Sequence, residues 1–395
     1  MFMAELVREL RKDKRQEEQR KKRRNRLRKT LGLFLVFLAV AGGAFFWWNR
    51  FVRTYHGYLA VSELSLNGGL LTSLNEDNQL ILCYHDGASA LDGTGKLLWE
   101  AAFQMDNPRA AACGGMTAIA DIGGTQVCVV GENGIPHSYR VVYPIVGHDV
   151  AGQGVTAVLL DAGADDYIRL YDMTGELRVD INTKTKKDGF PVALTLSDDG
   201  TKLVTLYLSF DGDELVSKVT FYNAGEVGKN YAGNVVGQKI YEGELIGGID
   251  FLDNDTVCIR KENGADIYRM TQIPSFAAEI RADGALLDLA ASSGGVALLQ
   301  KEEKTGEKTL VYYTIQGKKQ AEYHNIPEYE SLFVGDKEVA LFSPQQLTIY
   351  RSNASVKFSG ELKQPYQSFA FGGGNRYFLM EPGRIQTIKL EKEQK

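Results

Sequence analysis

The chain has 395 residues, of which 44% are hydrophobic and 24% charged, an ordinary balance for a globular protein. Its formal net charge of -5 is unevenly distributed, because residues 1–53 hold 15 Lys/Arg against five Asp/Glu and the rest of the chain carries about -15. So acidic a domain excludes nucleic acid and anionic lipid as favoured ligands, since both would repel it. With 42 Gly against nine Pro, the composition favours a turn-rich β protein.

The first 30 residues predict a basic cytoplasmic tail that forms a charged helix. The run Lys21–Arg24 resembles a nucleic-acid patch, but directly before an apolar segment it is better explained as a signal for membrane topology. The tail is expected to contact lipid headgroups through its basic side chains.

A transmembrane helix is predicted at residues 31–49. Leu31 to Trp48 contains no charged side chain, and as a helix these 18 residues would span about 27 Å, close to one bilayer core. Basic residues before the segment predict that the N-terminus is cytoplasmic. A cleaved signal peptide is the alternative, because Ala39-Val40-Ala41 has the small residues of a cleavage site. The residues expected at the two membrane interfaces are Arg28, Lys29, Trp47 and Trp48.

A linker at 50–57 leads to an extracytoplasmic domain at 58–391, followed by a short tail at 392–395. Within the domain, short β-like runs alternate with turns at a period of about 35 to 45 residues, which is typical of propeller blades. The clearest unit, Gly69 to Gln104, contains four predicted strands and three turns.

One stretch of that unit carries a recognisable motif. Ala90 to Glu100 reads ALDGTGKLLWE and resembles the signature of PQQ-like and related β-propeller repeats. The resemblance implies a structural role, in which the glycine turns reverse the chain and the tryptophan packs between blades. Weaker copies follow at 167–177 and 310–319, and 191–204 resembles another common blade turn. The motif residues are Leu91, Asp92, Gly93, Gly95, Lys96, Leu98 and Trp99.

These landmarks predict an all-β fold, a propeller of four-stranded blades, with eight blades favoured and seven as the alternative. The last blade has only three strands near the C-terminus, so Tyr58 to Leu66 is expected to supply the fourth and to hide the open sheet edges. An insertion is predicted at 224–237 of the long fourth blade.

No catalytic or cofactor-binding motif is found. The quinoprotein site of PQQ-dependent dehydrogenases requires vicinal cysteines and a tryptophan floor, whereas the cysteines here are scattered and Trp99 belongs to the blade motif. The five histidines show no metal-ligand spacing, and the acidic turns at 161–166 and 211–214 do not complete a calcium loop. No cofactor, metal or catalytic residue is therefore expected. A Cys113–Cys128 disulfide and buried free thiols both remain open.

The layout is similar to that of uncharacterised membrane-anchored propeller proteins of Gram-positive bacteria, grouped by a domain of unknown function. We therefore expect a non-catalytic protein-interaction scaffold in the cell envelope. Its partners would be the bilayer, through Leu31–Trp48, and another envelope protein or a wall component. The alternative is a small-ligand sensor or enzyme whose site lies in the central channel, assembled from several blades and so invisible to linear motifs.

Overall fold

The computed structural model describes residues 29, 32, 34–46, 54–66, 69–163, 165–184 and 188–392. The chain divides into two compact units, Met1–Arg53 and Thr54–Lys395.

In the first unit, residues 34–46 form a helix whose side chains are apolar and exposed on every side. Within the described residues, no helix combines the length and apolarity that a bilayer crossing needs, so the transmembrane helix predicted at 31–49 is not found among them. Lys29 is helical, whereas the predicted cytoplasmic helix before it, Arg28, Trp47 and Trp48 lie outside the described residues.

The described part of the second unit contains 32 strands in eight four-stranded antiparallel sheets, each sheet being one blade of a β-propeller. The prediction of eight blades is confirmed and the alternative of seven is wrong. Because every blade is a local antiparallel meander, short Gly- and Asp-rich turns are sufficient to connect its strands.

Blades 1 to 4 follow one another along the chain after the first strand, β1 (Gly57–Ser65). Blade 1 consists of β2 (Thr72–Glu76), β3 (Gln79–Tyr84), β4 (Gly87–Leu91) and β5 (Leu97–Ala102). Blade 2 consists of β6 (Pro108–Cys113), β7 (Met116–Asp121), β8 (Gln126–Val130) and β9 (Pro136–Arg140). Blade 3 consists of β10 (Ile145–Val150), β11 (Thr156–Asp161), β12 (Asp165–Tyr171) and β13 (Leu177–Lys184). Blade 4 consists of β14 (Phe190–Leu196), β15 (Lys202–Asp211), β16 (Glu214–Asn223) and β17 (Val235–Glu242), with two 3-10 turns at Gly228–Asn230 and Ala232–Asn234.

Blades 5 to 8 repeat the arrangement. Blade 5 consists of β18 (Gly248–Asp253), β19 (Thr256–Lys261), β20 (Gly264–Met270) and β21 (Pro274–Arg281). Blade 6 consists of β22 (Ala285–Ser292), β23 (Gly295–Lys301), β24 (Lys308–Tyr313) and β25 (Lys319–Tyr323). Blade 7 consists of β26 (Ser331–Gly335), β27 (Glu338–Ser343), β28 (Gln346–Arg351) and β29 (Ser355–Glu361). Blade 8 consists of β30 (Ser368–Phe371), β31 (Arg376–Glu381), β32 (Arg384–Glu391) and β1.

The first strands of successive blades contact one another and therefore surround the central channel. We call the side of the propeller at which these first strands begin the upper face, and the side at which they end the lower face. Hydrogen bonds join the ends of neighbouring first strands, as between Asp149 of β10 and Leu196 of β14, so the strands run side by side in the same direction.

The propeller is closed by its N-terminal strand. β1 pairs antiparallel with β32, from Gly57 opposite Glu391 to Ser65 opposite Arg384, and completes blade 8 as its outermost strand. The prediction that Tyr58 to Leu66 supplies the missing strand is confirmed. On the channel side, the Asn75 side chain of blade 1 donates to the Phe371 carbonyl of blade 8 at 2.8 Å and accepts from the Phe371 N–H at 2.9 Å.

The apolar core lies between the blades. The described residues form eight buried clusters, each shared by two neighbouring blades, so that every sheet is covered on both faces. In the cluster between blades 1 and 2, Trp99 of β5 packs with Ile81 of its own blade and with Ile119 and Val130 of the next. The packing of the motif tryptophan between blades is as the resemblance implied.

The turn of the motif has the same geometry in two blades. Asp92 Oδ1 accepts hydrogen bonds from the Thr94 N–H at 2.8 Å, the Thr94 hydroxyl at 2.6 Å and the Lys96 N–H at 3.0 Å. Asp172 makes the equivalent three bonds in blade 3, to Thr174 and Glu176. The intervening glycine has a φ of +83° at Gly95 and +87° at Gly175, a left-handed conformation that favours glycine. The recurring motif therefore encodes a turn.

Two adjacent residues of the motif, Trp99 and Leu98, differ in burial and therefore allow a test of packing between blades. Trp99 is 6% exposed and its neighbour Leu98 is 46% exposed. We expect Trp99→Ala to lower the free energy of unfolding by about 3–5 kcal/mol, because it leaves a cavity between two blades. Leu98→Ala should change it by less than about 0.5 kcal/mol. Equilibrium denaturation of both variants checks this, and equal losses would contradict the inter-blade role of Trp99.

Candidate functional site

The upper end of the central channel carries exposed aliphatic side chains. In β10, β14 and β22 the pairing register skips one residue near the start of the strand, which leaves Val146, Val192 and Leu287 as bulge residues. All three side chains are exposed. A bulge re-aims a side chain away from the regular pleat, and here it places apolar groups on the first strands where they enter the channel.

The lower end is acidic. Glu76 at the end of β2 lies close enough to Asp77, Asp149 and Asp198 for their negative charges to act on it. Burial, together with these three carboxylates, raises the pKa of Glu76 to about 7. The Cys113 thiol of blade 2 joins the group and donates to Asp198 Oδ1 at 3.6 Å. Four blades therefore contribute to one acidic cluster, although its outermost members, Glu76 and Asp198, are 122 residues apart in the sequence.

Asp149 has a structural role, because it joins blade 3 to blade 4 by hydrogen bonds. Its Oδ2 accepts from the Leu196 N–H at 2.8 Å and from the Thr195 hydroxyl at 3.2 Å, both in the next blade, while its Oδ1 accepts from the Val150 N–H at 2.8 Å. Burial raises the pKa of Asp149 to about 6. The neighbouring His148 lies 3.1 Å from the Ala118 carbonyl of blade 2, and burial lowers its pKa to about 4. These groups hold blades 2, 3 and 4 together.

The sequence-predicted motif residues form a turn and do not converge on a ligand site. Leu91 and Trp99 are buried, whereas Lys96 and Leu98 are exposed. Gly93 lies against the Gly372 carbonyl of blade 8, where a Cβ would be only 1.8 Å from the oxygen. Asp92 and Gly95 form the turn described above.

For the described residues, the sequence predicts no metal site and leaves a Cys113–Cys128 disulfide open. They contain no group of three His, Cys, Asp or Glu side chains arranged to hold a metal ion. Cys83, Cys128 and Cys258 are buried free thiols, and Cys113 is a half-buried free thiol, so the Cys113–Cys128 pair is not bonded.

A groove of about 520 Å³ follows the outer seam between blades 8 and 1. Leu64 and Leu66, from the end of β1 and just beyond it, form one wall, and Leu97 and Glu100 of β5 form the other. It marks the place where the closing strand leaves blade 8 and the chain crosses to blade 1.

The most prominent surface feature is the hairpin of β15 and β16. Both strands have ten residues, whereas the second and third strands of the other described blades have five to eight. On the upper face, residues 209–215 extend beyond the last cross-strand pairs to β14 and β17, which are Phe190 with Leu208 and Val216 with Glu242. Phe190 is 64% exposed and Phe210 is 73% exposed.

Sequence reasoning missed this hairpin. It attributed the extra length of blade 4 to an insertion at 224–237, where the structure has the two short 3-10 turns, and it treated 211–214 only as an acidic turn. The available signal was the uninterrupted β-type run from Lys202 to Phe210, which is longer than any other second strand.

The sequence model of a family described as "Family of unknown function (DUF5711)" matches residues 52–390. No curated protein sequence matches the chain. Among solved structures, BamB from Moraxella catarrhalis is similar at 13% identity and a TM-score of 0.50, covering 85% of this chain and 100% of its own. The β-propeller domain of Cps50 (Swd1) from Myceliophteria thermophila has 10% identity, a TM-score of 0.49 and the same two coverages. Virginiamycin B lyase from Staphylococcus aureus has 14% identity, a TM-score of 0.42 and again the same coverages.

These structural likenesses concern the fold alone. At identities of 10–14%, the binding and catalytic residues of the three proteins cannot be transferred to this chain. The matched family, in contrast, covers almost the whole propeller.

The acidic cluster predicts a pH-dependent stability. The pKa of Glu76 is about 7 in the folded protein against 4.5 for the ordinary side chain, so ionisation of Glu76 costs stability as the pH rises between these values. Below pH 4.5 the carboxyl is protonated in both the folded and the unfolded states, and the cost disappears. We expect Glu76→Gln to reduce the loss of stability between pH 5 and pH 8 by about 2 kcal/mol, allowing for partial solvent screening.

Denaturation curves of both proteins at the two pH values measure this difference. Glu262→Gln, on an exposed hairpin turn of blade 5, serves as the control and should leave the pH dependence unchanged. Identical pH dependence in the wild type and the Glu76→Gln variant would contradict the raised pKa.

Proposed function

Because the chain belongs to the DUF5711 family, whose function is unknown, we propose from its own geometry that it is a non-catalytic protein-interaction scaffold, tethered to a membrane with its propeller outside the cytoplasm. The observation that carries the binding role is the exposed aromatic pair Phe190 and Phe210 on the projecting hairpin of blade 4. The tether is supported by a separate set of residues in the first unit.

The hairpin is suited to binding another protein. A monomeric soluble protein seldom leaves contiguous apolar groups in water unless they have a partner, and aromatic side chains dominate the energetics of protein interfaces. Phe190 lies directly opposite Leu208, and Phe210 directly opposite Leu215, so the four side chains occupy one face of the sheet. Cross-strand pairing of β14, β15 and β16 holds the four side chains in register, which limits the entropy lost on binding.

The tether is supported by the apolar character of residues 34–46. Phe34, Phe37, Phe45 and Phe46 are each more than half exposed, and the helix has no polar face. A helix that is apolar all round requires an apolar environment, such as a protein core or a lipid bilayer. The basic residues before it favour a cytoplasmic N-terminus and therefore a propeller on the far side of the membrane.

The binding role predicts a loss of partners when the aromatic pair is removed. We expect Phe190→Ser with Phe210→Ser to reduce recovery of the specific partners at least tenfold, because each ring contributes roughly 150–250 Å² of contact area. The measurement is quantitative affinity purification of the full chain from detergent-solubilised membranes.

Both side chains are exposed, so the double variant should fold, which a thermal unfolding curve verifies. Phe276→Ser is the matched control, since Phe276 is 58% exposed on the outer strand of blade 5. Recovery of the same partners in the same yield from the double variant would refute the scaffold role of the hairpin.

The tether predicts that charges in the apolar helix release the protein from membranes. Leu38→Arg with Val40→Arg should move most of the chain from the membrane fraction to the soluble fraction, since each arginine at the centre of a spanning helix costs about 2.5–3.5 kcal/mol on insertion. Ile135→Arg with Val142→Arg, which adds the same two charges at exposed sites of the propeller, should leave the distribution unchanged.

Protease treatment of intact cells tests on which side of the membrane the propeller lies. The wild-type propeller should be accessible to the protease. A propeller that stays protected in cells, but is digested after lysis, would overturn the proposed topology.

A further inference from the structure

The groove of about 520 Å³ at the outer seam has an apolar lower part, formed by blades 8 and 1 together. Leu64 of β1 lies opposite Ile385 of β32, which belongs to the buried cluster shared with blade 1, so the Leu64 side chain faces blade 1. Across the seam, Leu97 of β5 lies opposite Leu91, a member of the same cluster, and therefore faces blade 8. The two leucines thus approach each other from different blades.

The polar part of the groove comes from blade 1. Leu82 of β3 belongs to the same buried cluster, Ser89 of β4 lies opposite Leu82, and Glu100 of β5 lies opposite Ser89. Residues opposite one another in adjacent strands share a face of the sheet, so the Ser89 and Glu100 side chains face blade 8. Tyr84, two residues after Leu82, lies on this face as well. Asp86, in the turn between β3 and β4, lines the upper end of the groove.

The two carboxylates of the groove have no positive partner. Burial raises the pKa of the Tyr84 hydroxyl, and the negative charges of Glu100 and Asp86 raise it further, so both carboxylates act on the same point. The described residues that line the groove include no Lys, Arg or His. Among the residues that the structure describes, neither Asp86 nor Glu100 forms an ion pair. The described lining therefore carries two negative charges without a positive one.

The equivalent position in blade 3 has a paired acid. Glu100 and Asp180 each lie eight residues after the aspartate of their turn motif. Asp180 lies opposite Arg169 and forms a two-point ion pair with it, in which the distance from Nε to Oδ1 is 2.9 Å. Glu100 instead lies opposite Ser89, which carries no charge. The charge that blade 3 neutralises within its own sheet therefore remains open to a ligand in blade 1.

The groove is closed at its lower end. Gly95 of blade 1 approaches blade 8 so closely that a Cβ there would lie 2.3 Å from Thr387 Oγ1 and 3.3 Å from Ser62 Oγ. A polypeptide that ran along the whole seam would collide with this contact, whereas a compact molecule fits above it. The volume also lies within the range of roughly 300–1,000 Å³ that is usual for small-molecule sites. Shape and size therefore both favour a small molecule.

We propose that the groove between blades 8 and 1 binds a small molecule that has an apolar body and an ammonium group. The body contacts Leu64 and Leu97. The ammonium group donates hydrogen bonds to the carboxylates of Asp86 and Glu100, with the Tyr84 hydroxyl as a further acceptor. The charge of about -15 on the residues beyond position 53 strengthens the attraction of a cation. This site goes beyond the proposed scaffold function and does not depend on it.

Three probes that differ in their head group test the charge preference. Phenylbutylammonium, phenylbutanol and phenylbutyrate combine a positive, a neutral and a negative head with the same kind of apolar body. Equilibrium dialysis measures their binding to the full chain in a non-ionic detergent, after subtraction of the uptake by protein-free micelles. We expect the ammonium probe to bind saturably and about tenfold more tightly than the alcohol, because hydrogen bonds to charged groups are the stronger ones. The carboxylate probe should not bind saturably, since the groove repels it.

A double variant tests the two carboxylates. Asp86→Asn with Glu100→Gln should weaken binding of the ammonium probe about tenfold and leave binding of the alcohol unchanged. Both side chains are exposed, so the variant should fold as the wild type does, which a thermal unfolding curve verifies. The matched control, Glu262→Gln with Glu303→Gln, removes two exposed acids from the hairpin turns of blades 5 and 6 and should change the binding of neither probe.

A second variant tests the apolar part of the groove. Leu97→Asn should weaken binding of the ammonium and alcohol probes by the same factor, roughly three- to tenfold, because it removes apolar contact area that both probes use. Leu177→Asn is the matched control at the equivalent position of blade 3, where the leucine is 44% exposed against 47% for Leu97. It should leave both affinities unchanged.

Four outcomes would overturn this site. They are equal affinities for the three probes, no saturable binding of any probe, unchanged binding of the ammonium probe in the Asp86, Glu100 variant, and loss of its binding in the Phe190→Ser, Phe210→Ser variant. The last outcome would assign probe binding to the blade 4 hairpin. None of the four bears on the recovery of protein partners through that hairpin, so the scaffold function is tested separately.

Discussion

Closure of the ring by the N-terminal strand is the constraint on which the rest of the structure depends. Every sheet of the propeller is covered by the blade before it and the blade after it, and this holds for blades 1 and 8 only because the ring is closed. The closing blade combines β1 with three strands from the other end of the domain. Asn75 and Phe371 make the corresponding connection on the channel side. The closed ring holds every other blade between two neighbours, and blade 4, which carries the projecting hairpin, is among them.

The parts of the fold that recur along the chain could be predicted from sequence. The turn around Asp92 and Gly95 depends on local hydrogen bonds between residues at most four apart, so its pattern is visible in a short stretch and again around Asp172. The need for a fourth strand in the last blade followed from counting strands, and edge pairing then required β1. Interactions that are local or repeated leave a linear signal.

The candidate sites could not be predicted in the same way. The acidic cluster joins Glu76, Cys113, Asp149 and Asp198, which meet only because the first strands of four blades converge on the channel. Phe190 and Phe210 were overlooked for a different reason, since each occurs in a strand where an aromatic residue is expected to be buried. Only the pairing register shows that β15 and β16 extend beyond β14 and β17, which leaves the two rings exposed to solvent.

Asp149 of the channel differs in its bonding from the exposed carboxylates at the tip of the blade 4 hairpin, Asp211, Asp213 and Glu214. Asp149 accepts three hydrogen bonds, two of them from the next blade, so both of its carboxylate oxygens are bonded within the fold. The carboxylates of the hairpin tip have no such bonds among the described residues, and their fields extend into solvent. Bonding, more than charge alone, distinguishes the acid that joins blades from those that are open to solvent.

The start of the closing strand has a mechanical consequence. Just before β1, the Tyr55 N–H donates to the Lys357 carbonyl of blade 7 at 2.8 Å, and its hydroxyl accepts from Asn375 of blade 8 at 2.6 Å. The Tyr58 hydroxyl accepts from the Lys363 N–H at 2.7 Å. Tension applied to the chain at residue 54 is therefore shared between two blades before it reaches the β1–β32 ladder. The seam that closes the ring therefore also resists tension on the chain, because the bonds of Tyr55 and Tyr58 oppose separation of β1 from β32.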